Sequence, residues 1–382
     1  LSAGDYLSVE PQSMIWLTGI YGESLYVKDL LDKIGVQADF MHMGDYKSAA
    51  EMLTRTGPSD PAAENINWLL DSYYTSLVGM ISASRDLSAQ QVRTRIDEGP
   101  YLAEQALAKG LVDAVQTRDA FLAQVKKDLA EPVKFDNRYG EEEKPAVNLS
   151  SPFAFFSLLG ELMNPPAKPR KPSVAIVYVE GAIVTGYSQP SPFGQVAGAY
   201  SGDVRNALHT ALNDDTVKAV VLRVDSPGGS AEASEVILNA TRDVMASKPL
   251  VVSMGDMAAS GGYYISCAAD TIFADEITVT ASIGVVGGKL VTSDLWDKLG
   301  VNWVGHKRGA NADLFSSEHA FDESQRHILE GYMQSVYDVF KQHVANGREG
   351  KLSKPLDQIA GGRVYTGRQA LELGLIDRIG GL

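Results

Sequence analysis

The chain has 382 residues, 45% of them apolar and 21% charged, an ordinary composition for a globular protein with room for two or three full cores. Its formal net charge of -14 argues against a nucleic-acid or anionic-membrane surface, so no nucleic acid is expected as a partner. A single cysteine, Cys267, excludes an internal disulfide and a thiolate metal cluster, and no apolar run reaches the roughly 18 residues of a membrane span. The sequence starts at Leu1 rather than Met, and the expectation is a fragment whose upstream part could carry an anchor.

Residues 1–134 read as an α/β pattern. Ile15-Trp16-Leu17 predicts a short strand, Leu25–Ile34 a helix, and Ala38–Met43 a second strand, followed by Gly44-Asp-Tyr-Lys47-Ser-Ala-Ala-Glu51. Ile66–Ser84 has the period of a long amphipathic helix, and Leu102–Lys109 predicts another, ended by Gly110. Residues 135–172 read as a linker, with a charge run at Glu141–Lys144, a Pro-rich close at Pro165–Pro172, and an apolar helical stretch, Pro152–Met163, between them. That stretch is expected to dock on a neighbouring domain. From Ser173 onward strands alternate with helices: Val174–Val179, Asp203–Leu212, Ala219–Val224, Ala231 to about Met245, and Leu250–Met254. This alternation predicts parallel βαβ units.

The stretch Pro249–Tyr264 organises the rest. The apolar run Leu250–Met254 reads as a buried strand broken by Gly255, and Ser260-Gly261-Gly262 reads as a tight turn into a helix. A hydroxyl at that helix start sits among unpaired N–H groups, which suits a nucleophile or, alternatively, a simple N-cap.

The sequence also repeats itself. Leu31-Asp-Lys-Ile-Gly-Val36 matches Trp296-Asp-Lys-Leu-Gly-Val301 at an offset of 265, and Ala106-Leu-Ala-Lys-Gly-Leu-Val-Asp113 matches Ala370-Leu-Glu-Leu-Gly-Leu-Ile-Asp377 at 264. Two copies are therefore expected: an incomplete first repeat in 1–134 and a second in 173–382. Ser260 maps upstream of residue 1. A partial echo sets Ser2–Ser8 against Ser260–Ser266 at offset 258, which implies about seven residues absent between Ser8 and Met14. Lys47 maps to Ala312, so only the first copy carries a lysine there.

Ser226-Pro-Gly-Gly-Ser230, Met254-Gly-Asp-Met-Ala-Ala-Ser-Gly-Gly-Tyr-Tyr264 and Ala281-Ser-Ile-Gly284, in this order and with the duplication, resemble the signal peptide peptidase A (protease IV) family in its long, duplicated form. The resemblance implies tandem α/β domains of the ClpP/crotonase-like type and a bacterial serine protease of the inner membrane facing the periplasm. By position it implies Ser260 as nucleophile, Lys47 as general base, Ser282 as the residue orienting that lysine, and the N–H groups of Gly229 and Gly261 as the oxyanion hole. It also implies remnant signal peptides as substrates, no cofactor, membrane association through a segment outside this chain, and a bowl-shaped homotetramer with the site shared between neighbouring subunits. Asp256, and Ala281 before Ser-Ile-Gly, stand where the family commonly has glycine.

The chemistry is consistent with those residue types. A serine hydroxyl needs a base, and lysine can serve only when burial keeps it neutral. The neighbours Tyr46, Ala49, Ala50 and Met52 permit burial; a surface helix lysine is the plainer reading of Lys47 taken alone, and its absence from the second copy, beside Ser260, turns the reading toward a base. None of the six histidines, His42, His209, His306, His319, His327 and His343, has a motif around it, and His42 alone lies close to Lys47 in sequence. Ser226-Pro-Gly-Gly-Ser230 offers backbone N–H groups rather than a phosphate loop, and no metal-ligand spacing is present. Three alternatives stay open: Ser2 paired with Lys47, a crotonase-like acyl-CoA enzyme, and a scaffold without catalysis.

Overall fold

The protein is described by a computed structural model over residues 4–11, 13–129, 171–188, 198–304 and 311–382. Ser2, His306, the sequence linker up to residue 170 and its apolar stretch Pro152–Met163 lie outside the described residues.

The long apolar runs of the second half build one sheet. Among the described residues it has seven strands, all parallel except Val364–Thr366. Ser173–Glu180 lies at one edge beside Val217–Ser226, which pairs with the central strand Leu250–Ala259. The central strand then pairs with Thr271–Ala274 through its first half and with Val279–Ala281 through its second. The helix Ala231–Met245 packs into the same core. Ser230 caps it by accepting from the Ala233 N–H at 3.2 Å, and Ala233, Ile237, Leu238 and Val244 make its buried stripe. Parallel strands covered by helices were expected, and this α/β architecture is what forms.

Gly255 does not end the central strand as the sequence suggested. The strand continues to Ala259, with a register shift against Val217–Ser226 between Met254 and Ala258. The cause is Asp225, whose carboxylate accepts from the Met257 N–H at 3.1 Å and lies where a Cβ on residue 255 would be, 2.8 Å from its Oδ2. The bulge re-aims the strand's end, where Ser260 sits.

Contacts divide the chain at other points than the sequence boundaries. Ile20–Ser76 clusters with Ser173–Leu382, and the remainder, Leu1–Gly19 with Leu77–Pro172, forms a second unit. Ile20–Ser76 therefore serves as an arm of the second copy. Its strand Gln37–Met43 pairs antiparallel with Val285–Val291, from Met43 against Val285 to Gln37 against Val291. Asp39 locks this register: its carboxylate accepts from the Phe321 N–H at 2.9 Å and pairs with Arg326 at 2.5 Å.

The other unit shows the repeat clearly. Ser8 pairs with Ala114 and Met14 with Leu102, as Phe273 pairs with Arg378 and Val279 with Thr366. Strand register fixes the correspondence. Ser8 matches Phe273 and Met14 matches Val279, both at 265, so the offset is constant and no seven residues are missing between Ser8 and Met14. The echo at offset 258 is coincidental. At 265, Ser2 matches Cys267, and Leu17 stands where the second copy has Ser282. An ion pair is duplicated too. Arg85 grips Asp113 through two bonds of 2.9 and 2.6 Å, and Arg348 grips Asp377 through two of 2.8 and 3.0 Å. Each aspartate also accepts a backbone N–H, from Leu7 and from Ile272.

Arg348 is completely enclosed, whereas the Arg85 side chain keeps 9% exposure. Removing one partner of a buried pair is costly, and loss of Arg348 leaves Asp377 paired, among the described residues, only with the partly exposed Lys351 at 2.9 Å. Arg348→Ala is expected to cost about 3–5 kcal/mol and Arg85→Ala less, as read from denaturant midpoints.

Candidate active site

Ser260 follows the bulged central strand and precedes the short helix Gly261–Ser266. Its backbone is left-handed, with φ 52° and ψ -116°, and its hydroxyl makes no capping bond. The structure therefore does not use Ser260 as an N-cap. A non-glycine residue in this region is strained and persists only where its surroundings dictate it. Here the Ser260 N–H donates to Ala281 O at 2.7 Å, and the Tyr264 N–H donates to Ser260 O at 2.8 Å. Ala281 and Ser282 also have positive φ, 67° and 54°. Three of the four non-glycine residues with positive φ among the described residues thus stand at one place.

The arm delivers Lys47 to it. Past the Gln37–Met43 strand, Gly44 turns the chain with φ 98°, where a Cβ would lie 2.3 Å from the Gly361 carbonyl carbon. Glycine alone allows that approach. Lys47 Nζ comes to 3.0 Å from Ser260 Oγ, 2.9 Å from Ser282 Oγ and 3.1 Å from Ser282 O. Lys47 is 7% exposed, and the oxygens it meets are neutral. Burial disfavours its ammonium form and lowers the pKa from 10.5 to about 8. Lys47 and Ser260 meet within one chain. A site shared between subunits, which the resemblance implied, is not needed to bring them together.

Gly229 and Gly261 are adjacent in space: a Cβ on Gly261 would stand 3.2 Å from Gly229 N. The bridge from Ile183 uses Gly228 O and the Ser230 N–H, so the Gly229 N–H faces the other way. The Gly261 N–H opens a helix and has no acceptor one turn back. Beside these groups lies a cavity of about 590 Å³, walled by Tyr264, Leu329, Met333, Val336 and Phe340. His42 turns its ring to Gly44 O at 3.0 Å, and no described histidine bonds to Lys47 or Ser260. Asp256 is exposed on the central strand. No cluster of metal-ligating side chains occurs among the described residues.

The sequence pattern of Peptidase family S49 matches residues 2–131 and 242–382, more than half of the chain. The chain belongs to Peptidase family S49. It is 33% identical to Protease 4 of Haemophilus influenzae over 99% of its own length, and 33% identical to Protease 4 of Salmonella typhi over 97%. It is 27% identical to the chloroplastic serine protease SPPA of Arabidopsis thaliana over 98%. The chain spans 60%, 58% and 54% of the lengths of these three relatives, respectively.

In this S49 member, sequence reasoning missed two parts of the site. One is the loop Gly361-Gly362-Arg363, which touches Gly44, Lys47 and Ser282. The adjacent glycines Gly361 and Gly362 are its only signal in the sequence. The other is the apolar wall from the helix Glu323–Gly347, whose periodicity reads as ordinary core.

Replacing the buried amine with an isosteric thioether should stabilise the protein. Lys47→Met is expected to gain roughly 1–3 kcal/mol at pH 7, read as a raised thermal midpoint. Below about pH 8 both folded and unfolded wild type hold the proton and the burial cost is complete. Between about 8 and 10.5 the unfolded chain binds more protons, so wild-type stability rises with pH and the gap to Lys47→Met closes.

Proposed function

We propose that this chain acts as a serine endopeptidase through a Ser260/Lys47 dyad and an acyl-enzyme. The carrying observation is the lysine amine, buried and 3.0 Å from a strained serine hydroxyl. The neutral amine takes the Ser260 proton as Oγ attacks the scissile carbonyl. The Ser282 oxygens accept the remaining N–H bonds and aim the lone pair. The developing oxyanion is met by the N–H groups of Gly229 and Gly261. The ammonium then protonates the leaving amine, and water, deprotonated by the same lysine, hydrolyses the ester. The apolar wall suits short apolar peptides, and remnant signal peptides are the proposed substrates. An acyl-CoA enzyme would have no use for a dried lysine aimed at serine, nor would a scaffold.

The proposal extends to assembly and place. In the arm, Asn65 bonds to Val364 O and N at 2.9 and 3.1 Å, and Ser72 meets Thr366 at 2.8 Å, so the helix Asp60–Arg85 grips the Val364–Thr366 strand. The matching helix Glu323–Gly347 has Ile328, Tyr332 and Val339 exposed, at 43%, 61% and 42%. The first copy's matching strand pair has Met14 and Leu102 exposed, at 47% and 46%. These exposed apolar faces support a proposed homotetramer in which the grip is repeated between chains, head to tail. No helix among the described residues is long and apolar enough to cross a membrane. Attachment to a bacterial inner membrane, facing the periplasm, is proposed through a segment outside this chain.

Ser260→Ala and Lys47→Ala are each expected to cut peptide-ester hydrolysis by at least about 10³-fold and to end labelling by a fluorophosphonate; unchanged turnover in either refutes the dyad. In the wild type, kcat/KM should rise with pH through a midpoint near 8, where half the lysine is neutral, and level off above it. Tyr332→Glu should lower the particle mass in light scattering from tetramer to smaller species.

A further inference from the structure

The amine of Lys47 belongs to the arm, and the oxygens it meets belong to the second copy. Their separation depends on how firmly the Gly44–Lys47 turn is held to the loop that carries Ser282. The loop Gly361-Gly362-Arg363 touches both sides, and Arg363 does so through backbone and side chain. The carbonyl of Arg363 accepts from the Ser282 N–H at 3.0 Å, and its neighbour Gly362 donates to Ile283 O at 2.7 Å. Gly361 O accepts from the Tyr46 N–H at 2.9 Å, and Tyr46 directly precedes Lys47. The Arg363 guanidinium lies 3.8 Å over the Tyr46 ring and 5.3 Å from that of Trp68. It pairs with Glu64 at 2.7 Å, and the other Glu64 oxygen accepts from the Tyr46 hydroxyl at 3.1 Å. Three arm residues thus enclose one cation of the second copy.

We propose that Arg363 is the positioning residue of this site: its backbone seats Ser282, and its side chain, stacked on Tyr46 and Trp68 and paired with Glu64, seats Lys47. The inference rests on the Ser260/Lys47 reading. Glu64 is 58% exposed, so its ion pair alone is a weak anchor, and the flat contact on Tyr46 carries the grip. A lysine at 363 keeps the charge and loses the plane. The titratable groups around the Lys47 turn are Asp45 and Tyr46 on the turn itself, His42 on the strand before it, whose ring meets Gly44 O at 3.0 Å, Glu64 on the arm helix, Arg363, and Tyr337, whose hydroxyl oxygen accepts from the Gly361 N–H at 3.0 Å.

The test compares wild type, Arg363→Ala, Arg363→Lys and Trp68→Leu in peptide-ester kinetics across pH, with fluorophosphonate labelling of Ser260 in parallel. Arg363→Ala is expected to lower kcat by about 10- to 100-fold with KM within about twofold, because a displaced base slows the chemistry and leaves the cavity intact. Its acid limb should move above the wild-type midpoint, toward the range of a solvated lysine. Arg363→Lys should recover little of the loss. Trp68→Leu, which leaves residue 363 in place, should shift the limb the same way by a smaller amount, and it decides the matter if Arg363→Ala does not fold. An unmoved limb in the folded variants, or full recovery by lysine, overturns the proposal. A wild type whose Ser260 takes no label overturns the dyad and this inference together, whereas a labelled wild type with unmoved variants overturns this inference alone.

Discussion

Holding Lys47 Nζ within about 3 Å of Ser260 and Ser282, away from water, makes demands on distant parts of the chain. An ammonium in that position would keep the serine protonated. Neutrality comes from burial, and burial requires close packing on every side of a long, flexible side chain. Part of the packing is supplied by close backbone approach. Gly44 lies against Gly361, and Gly362 lies so close to Lys47 that a Cβ there would be 2.6 Å from the lysine's own. Such contacts exclude water without supplying a charge that would restore the ammonium.

The hydroxyl side of the pair is held by strain. Ser260, Ala281 and Ser282 occupy a backbone region that costs of order 1–3 kcal/mol per residue. The buried sheet enforces it. The bulge at Gly255 redirects the strand, and the Ser260–Ala281 hydrogen bond ties the two turns together. Fold and site are linked here: the same strand that fills the core with Val252, Met254 and Ala258 leads directly into Ser260 at the cavity.

Much of this could be read from the sequence because apolar runs and glycine pairs are local signals. The strands Val174–Val179 and Leu250–Met254 and the helix from Ala231 follow from patterning alone, and each differs from the structure mainly at its ends. The residues that meet at the site were also named, Lys47 and Ser282 through likeness to a family rather than through chemistry. What was not legible depends on distance in sequence. Gly255 looked like a strand breaker because Asp225, which occupies its vacant Cβ position, is thirty residues away. The seven absent residues were inferred from a short echo of small residues, and only the pairing of Ser8 with Ala114 and Met14 with Leu102 shows that the spacing was already complete. Arg363 looked like any loop arginine, since Tyr46, Glu64 and Trp68 lie some three hundred positions earlier.

The order of these parts along the chain also fixes when they can meet during synthesis. Lys47 leaves the ribosome 213 residues ahead of Ser260, and the Gly361-Gly362-Arg363 loop that frames them emerges after both. Neither copy has the complete set, since Ala312 replaces the amine in one and Leu17 the hydroxyl partner in the other. The amine and the hydroxyl therefore cannot be brought together in a nascent chain until Ser260 and the loops on either side of it have all emerged.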